Sequence, residues 1–175
     1  MFKVCRKSEY ALLSVQVMAL RTGDSLVSVA ELAASEGIPP DILAKVLQTL
    51  KRTGILLASK GAGGGYRLAH PLSEIRFLDV VRPFEEHMAV ATCQNRTALP
   101  CERMDFCRLR DPMSVLNSFV MRQVDTLTMA QFLAPVLAAH GKAIGSPPIE
   151  ASIGANPAER RSVDSTGVGR SERSA

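Results

Sequence analysis

Residues 61–65 read GAGGG, four glycines in five positions, set between the short apolar runs ILLAS and YRLA. Glycine tolerates positive φ angles and close backbone approach, so this cluster suits a tight joint between two strands. A glycine loop cradling a nucleotide phosphate is the competing reading. It needs a following Lys-Ser/Thr and a helix, and here a strand-like run follows instead. A glycine-tipped hairpin fits better, and it restricts what can precede it.

Three helical stretches lead into the hairpin. Residues 8–21 carry Ala11, Leu12, Val15, Met18 and Ala19 at three- and four-residue spacing, with Ser8 as the expected N-cap. TGDSL is a turn. Residues 29–35 form a second short helix, capped by Ser28 with Glu31 at the capping-box position, and Gly37 ends it in a left-handed conformation. Pro39 and Pro40 open a third helix, where first-turn amides have no partners to lose. On it Ile42, Leu43, Val46, Leu47 and Leu50 are expected to form the buried stripe, and Gly54 to stop the helix. Asp41, Ala44, Lys45, Gln48, Lys51 and Arg52 face the other way. Two short helices about a glycine turn, followed by a two-stranded hairpin, make a winged helix-turn-helix.

The remainder is also mostly α. SEIRFLDVVRPFEE suggests a short helix, and Asp111-Pro112 begins a long one with apolar positions 113, 116, 120, 124 and 127. That one-sided stripe is expected to pack against the same helix of a second copy, with burial against its own wing domain as the alternative. Thr128 caps a last helix to about Ala139, and the Gly-, Ser-, Pro- and Arg-rich sequence from Gly141 onward is expected to be disordered. Four regions follow: a DNA-binding winged domain over 1–85, a cysteine loop over 86–110, a dimerisation helix and short helix over 111–140, and a tail over 141–175.

Charge is unevenly placed. Between Pro39 and His70 stand Lys45, Lys51, Arg52, Lys60 and Arg67 against Asp41 alone, which matches the formal +4 of the whole chain. A local basic stripe on a small domain points to a phosphate backbone as partner, although solvated helix faces can look the same. No apolar run approaches the roughly 20 residues of a membrane span, and no cleavable signal pattern opens the chain. A cytoplasmic location is expected, where thiols stay reduced. No nucleophile–base pair or paired carboxylates stand out, so neither an enzyme nor a small-molecule substrate is expected.

Cys93, Cys101 and Cys107 lie within fifteen residues, CQNRTALPCERMDFC. Thiolates are soft donors that suit iron, and a short segment can grip one cluster with little loop entropy. Zinc would also accept three cysteines, but it usually takes C-x-x-C pairs, which are absent. A cluster-free thiol switch using Cys101 and Cys107 also stays open. Cys5 stands apart and reads as packing, and His70, His87 and His140 lack ligand spacing.

SEYAL, VSVAELAASEGIP, LAKVLQTLKRTGIL and above all KGAGGGYRLAHPLSEIRFLDVV resemble the Rrf-type winged-helix transcription regulators, the family of IscR, NsrR and RirA. The resemblance covers roughly residues 1–135. It implies a homodimer on double-stranded operator DNA, acting as a repressor under redox, nitric-oxide or iron control. It also implies an iron–sulfur cluster held by Cys93, Cys101 and Cys107, [2Fe-2S] before [4Fe-4S]. The first cysteine gap holds seven residues where the family more often has five. Arg110 stands where the IscR branch has a ligating histidine. Glu9 matches the acidic first-helix ligand that the NsrR branch takes from the other subunit. For DNA, Asp41, Ala44, Lys45 and Gln48 are the base-reading candidates, with Ala44-Lys45 replacing a frequent Glu-Gln pair. Ser28, Lys51 and Arg52 are the phosphate contacts, and Lys60, Gly63 and Gly64 belong to a wing entering the minor groove. A small iron–sulfur electron carrier docking an acidic partner is the reading from another class.

Overall fold

The structure is a computed structural model that describes residues 4–21, 25–61, 63–85, 88–94 and 101–142. Its elements run α1 (Arg6–Leu20), α2 (Val29–Glu36), α3 (Pro40–Arg52), β1 (Leu56–Ser59), β2 (Gly65–Leu68), α4 (Phe77–Val81), α5 (Arg110–Thr126), α6 (Met129–Phe132) and α7 (Ala134–Ala139). The fold is mostly helical with a two-stranded antiparallel sheet, a winged helix-turn-helix.

Local chemistry explains the head of the molecule, the unit formed by α1, α2, α3 and the wing. Ser28 Oγ accepts the Glu31 backbone N–H at 3.1 Å, satisfying one of the free first-turn amides of α2. Gly37 ends α2 at φ 64°, and Pro40 then starts α3 at once. Leu43, Val46, Leu47 and Leu50 of α3 bury against Ala11, Val15 and Met18 of α1 and Leu32 of α2. Ile42 was expected in that stripe but is 40% exposed. At about 100° per residue it lies roughly 90° from the centre of the buried face, at its edge.

The wing pairs Leu56 with Leu68 and Ser59 with Gly65, and Val27 extends it through reciprocal backbone bonds with Tyr66 of 2.9 Å. Gly65 is required there: a Cβ would lie 2.6 Å from the Val27 carbonyl oxygen. At the tip Gly64 N–H donates to the Gly61 carbonyl at 2.9 Å, and Gly63 turns the chain at φ 79°.

Two further expectations change. The first helix starts at Arg6 with Cys5 as N-cap, so Ser8 lies inside it, fully buried. Glu85, not Ser8, supplies the cap: its Oε1 accepts the Cys5 backbone N–H at 2.7 Å and the Ser8 hydroxyl at 2.6 Å. The last helix is two short ones meeting at Leu133, just before Pro135. Thr128 caps the first of them, accepting from Gln131 N–H at 3.2 Å.

The chain after α5 returns to the head. Phe77 N–H donates to Leu127, Met129 N–H to Ile75 and Ala130 N–H to Leu72, and Met129, Leu133 and Leu137 join the same core as α1 and α3. Lys142 Nζ donates to the carbonyls of Ala19 and Arg21 at 2.6 Å each, fixing the end of α1. The sequence expected to be disordered lies, from residue 143 onward, outside the described residues. Among the described residues no helix is long and apolar enough to cross a membrane.

Candidate DNA-reading face and cysteine segment

The outward face of α3 carries Asp41, Lys45, Gln48, Lys51 and Arg52, all exposed, with Ala44 half-buried between them. Lys45, Gln48, Thr49, Lys51 and Arg52 border one shallow depression. Thr49 holds that face in order: its hydroxyl donates to the Lys45 carbonyl at 3.0 Å and accepts from Arg52 at 3.1 Å. Arg21 pairs with Glu31 beside the α2 entry, which removes that acid from competition. Lys45, Lys51 and Lys60 make no ion pair among the described residues.

A second depression draws together three elements: Ser28 and Val29 at the start of α2, Gln48 and Lys51 on α3, and Ser59, Lys60, Gly64 and Tyr66 on the wing. Five of the residues singled out from sequence (Ser28, Gln48, Lys51, Lys60 and Gly64) thus line one concave surface. The Val27–Tyr66 bridge makes this possible by pinning the α2 entry to the wing. Asp41, Ala44, Lys45 and Arg52 on α3 and Gly63 at the wing tip lie outside that depression, Lys45 and Arg52 bordering the first one. Cations spread along such a strip can neutralise phosphates spaced along a nucleic-acid backbone.

The cysteine segment is built differently. Cys93 sits in a 3-10 turn, Thr92–Gln94, packed on α5, and Asn117 Oδ1 of that helix accepts the Val90 N–H at 3.0 Å. Cys101 is exposed and opens a run of turns in which Met104 N–H donates to the Cys101 carbonyl at 2.9 Å. Cys107 is half-buried just ahead of α5, its carbonyl accepting Arg110 N–H at 3.2 Å. All four cysteines are free thiols, and residues 95–100 lie outside the described residues. Among the described residues no three Cys, His, Asp or Glu side chains gather as a metal-binding group. Glu9 stays in the first turn of α1, paired with Arg6 at 3.5 Å and about half-exposed. The two residues that tie this segment to its neighbours, Glu85 to the start of α1 and Asn117 to α5, carry no signal in the sequence, because their partners are distant along the chain.

The apolar surface of α5 is split. Met121, Val124 and Leu127 lean on the core, while Val115, Leu116 and Phe119 are exposed, as are Phe106 and Leu109 just before the helix. Asp125 fastens α5 to α4 through Arg82 at 3.1 Å and Arg76 at 3.7 Å.

This geometry agrees with the comparisons. Protein aau3 of Rhizobium meliloti (strain 1021) is 32% identical over 118 residues, 67% of this chain and 76% of that protein. A solved structure from Listeria innocua, assigned as a transcriptional regulator, superposes with a TM-score of 0.65 at 22% identity, covering 76% of this chain and 87% of its own. IscR of T. potens superposes with a TM-score of 0.59, also at 22% identity, over 78% and 90%. The family model described as "Rrf2: Iron-dependent Transcriptional regulator" matches residues 4–135, and the chain belongs to that family of transcriptional regulators.

Proposed function

We propose that the protein is a homodimeric repressor that grips operator DNA through the α2–α3–wing surface, with its affinity set by an iron–sulfur cluster on the cysteine segment. The observation that carries the DNA half is the shared concave surface of Ser28, Gln48, Lys51, Lys60 and Gly64, whose lysines have no ion-pair partner among the described residues. Asp41, Ala44, Lys45 and Gln48 read bases in the major groove. Ser28, Lys51 and Arg52 hold phosphates, and Lys60 with Gly63 and Gly64 enters the minor groove. The apolar surface left open on α5 by Val115, Leu116 and Phe119 supports a second copy as partner.

The donor set fits a cluster, [2Fe-2S] before [4Fe-4S]: three thiols without disulfide partners, two of them half-buried. Cys93, Cys101 and Cys107 would hold it, with Glu9 of the partner subunit as fourth ligand. When bound, such a cluster supplies a centre that oxidants, nitric oxide or iron loss dismantle. The chain's own part is mechanical. Cys93 rests on α5 and Cys107 leads into it, so tightening or releasing the segment alters the helix on which the two reading heads are mounted. Two heads must meet two half-sites together, so a small change in their relation alters affinity strongly.

An oxygen-free preparation tests both halves at once through iron and sulfide content and salt-dependent binding to promoter duplex. The expected protein is coloured and binds selectively. Colourless protein without iron after reconstitution removes the cluster. If diamide then still changes DNA affinity, the exposed Cys101 and nearby Cys107 act as a thiol switch, the second reading that their free state favours. Reversible electron transfer without selective duplex binding would instead favour a small electron carrier.

A further inference from the structure

We propose that Glu85 is a positioning residue that carries the state of the cysteine segment to the DNA-reading helix. It stands just after α4, eight positions before Cys93. Its Oε1 accepts the Cys5 backbone N–H at 2.7 Å and the Ser8 hydroxyl at 2.6 Å, across 80 and 77 residues of sequence. Cys5 Sγ adds contacts of 3.5 Å to Ser8 Oγ and the Phe84 carbonyl. The start of α1 is therefore held by the segment that leads to the cysteines, and by no side chain of its own first turn.

That placement matters for reading. Pro83, Phe84 and Glu85 form one wall of a cleft of about 480 Å³, with Lys7 of α1 and Ile42, Lys45, Val46 and Thr49 of α3 opposite. Beneath it, Ala11 and Val15 of α1 pack in one core with Leu43 and Leu47 of α3. At the other end, Val90 is bonded to Asn117 of α5 and the Cys93 turn rests on the same helix. A displacement of the cysteine segment is thus drawn against two anchors, Asn117 on α5 and Glu85 on α1. Releasing Glu85 leaves Ser8, which has no exposed surface, without its carboxylate acceptor, and it frees α1 to tilt against α3.

This inference rests on the reading that the cysteine segment governs the head, and its test does not depend on iron. In full-length protein carrying Cys5→Ala, N-ethylmaleimide alkylates Cys93, Cys101 and Cys107, and hydrogen exchange is followed at the backbone amides of positions 5 and 9. The first is held by Glu85, and the second bonds the carbonyl of position 5. With Glu85 present, alkylation is expected to speed exchange at both by roughly ten- to hundredfold, the scale of one lost charge-assisted hydrogen bond. In Glu85→Ala both amides exchange fast before and after. Glu85→Gln keeps an oxygen acceptor and retains a reduced response, which serves if the alanine variant does not fold. Slow exchange indifferent to alkylation with Glu85 or Gln present, or an equal response in Glu85→Ala, overturns the proposal. Operator affinity measured in parallel separates the two ideas: an affinity unmoved by alkylation refutes control by the cysteines, while the amide exchange still decides Glu85.

Discussion

The reading head and the cysteine segment are stabilised by different means. In the head, Leu43, Leu47 and Leu50 have no exposed surface and every element leans on one core. From residue 88 to the start of α5, the described chain is short turns with half-buried or exposed side chains, tied to its neighbours by bonds such as Val90–Asn117. On the function proposed above, a platform must keep its shape under load, whereas a segment that senses must be changed by small free energies. The two therefore belong at opposite ends of the local stability scale.

The comparison breaks most visibly in the core. Leu47→Ala removes a fully buried side chain and is expected to cost about 2–5 kcal/mol of stability. Cys101→Ser, in the exposed part of the segment, is expected to shift stability by no more than about 0.5 kcal/mol. Urea melts of both variants check this, and equal midpoints would mean that Cys101 supports the fold as strongly as Leu47 does.

Gly65→Ala asks whether the wing belongs to the platform. The added Cβ meets the Val27 carbonyl oxygen at 2.6 Å, and both atoms sit on paired backbone that has no flexible side chain to give way. A loss of about 1–3 kcal/mol is expected, with DNA affinity falling further than stability as Lys60 is displaced. A variant as stable and as tight-binding as the parent would show a wing that shifts freely.

Function sharpens the contrast with little change in stability. Lys51→Ala and Lys60→Ala each remove one cation from the concave surface and should leave the melting midpoint almost unchanged. Each should reduce the slope of log affinity against log salt by about 0.9 if the lysine meets a phosphate. Isothermal titration at several salt concentrations reads this directly, and an unaltered slope in both would detach the depression from DNA.

The two regions were also unequally legible in the sequence. Ser28, Gly37, Pro40 and the Leu43–Leu47–Leu50 stripe act within a few residues of themselves, so spacing and residue type disclosed α2, α3 and the wing. Glu85 escaped notice because the groups it binds lie 77 and 80 positions away, and a lone glutamate after a short helix has no periodic signature. Ser8 misled for the same reason: a serine at a helix start resembles a cap unless a distant carboxylate is known to supply one. On α5, spacing alone could not tell which apolar side chains face the core and which face outward, since Val124 and Leu116 stand on the same periodic stripe.

Ile42 offers the finest division, because it lies beside Leu43 on one helix and differs only in direction. Leu43 has no exposed surface, while Ile42 is 40% exposed at the rim of the cleft between α3 and Glu85. Leu43→Ala should cost about 2–5 kcal/mol, as other core truncations do. Ile42→Ala should cost under about 1 kcal/mol, since part of its surface meets water already and alanine favours the helix. Should Ile42→Ala prove as costly as Leu43→Ala, the cleft beside it must close in solution, and the reading helix would then be held by the wall that Glu85 terminates as firmly as by its own core.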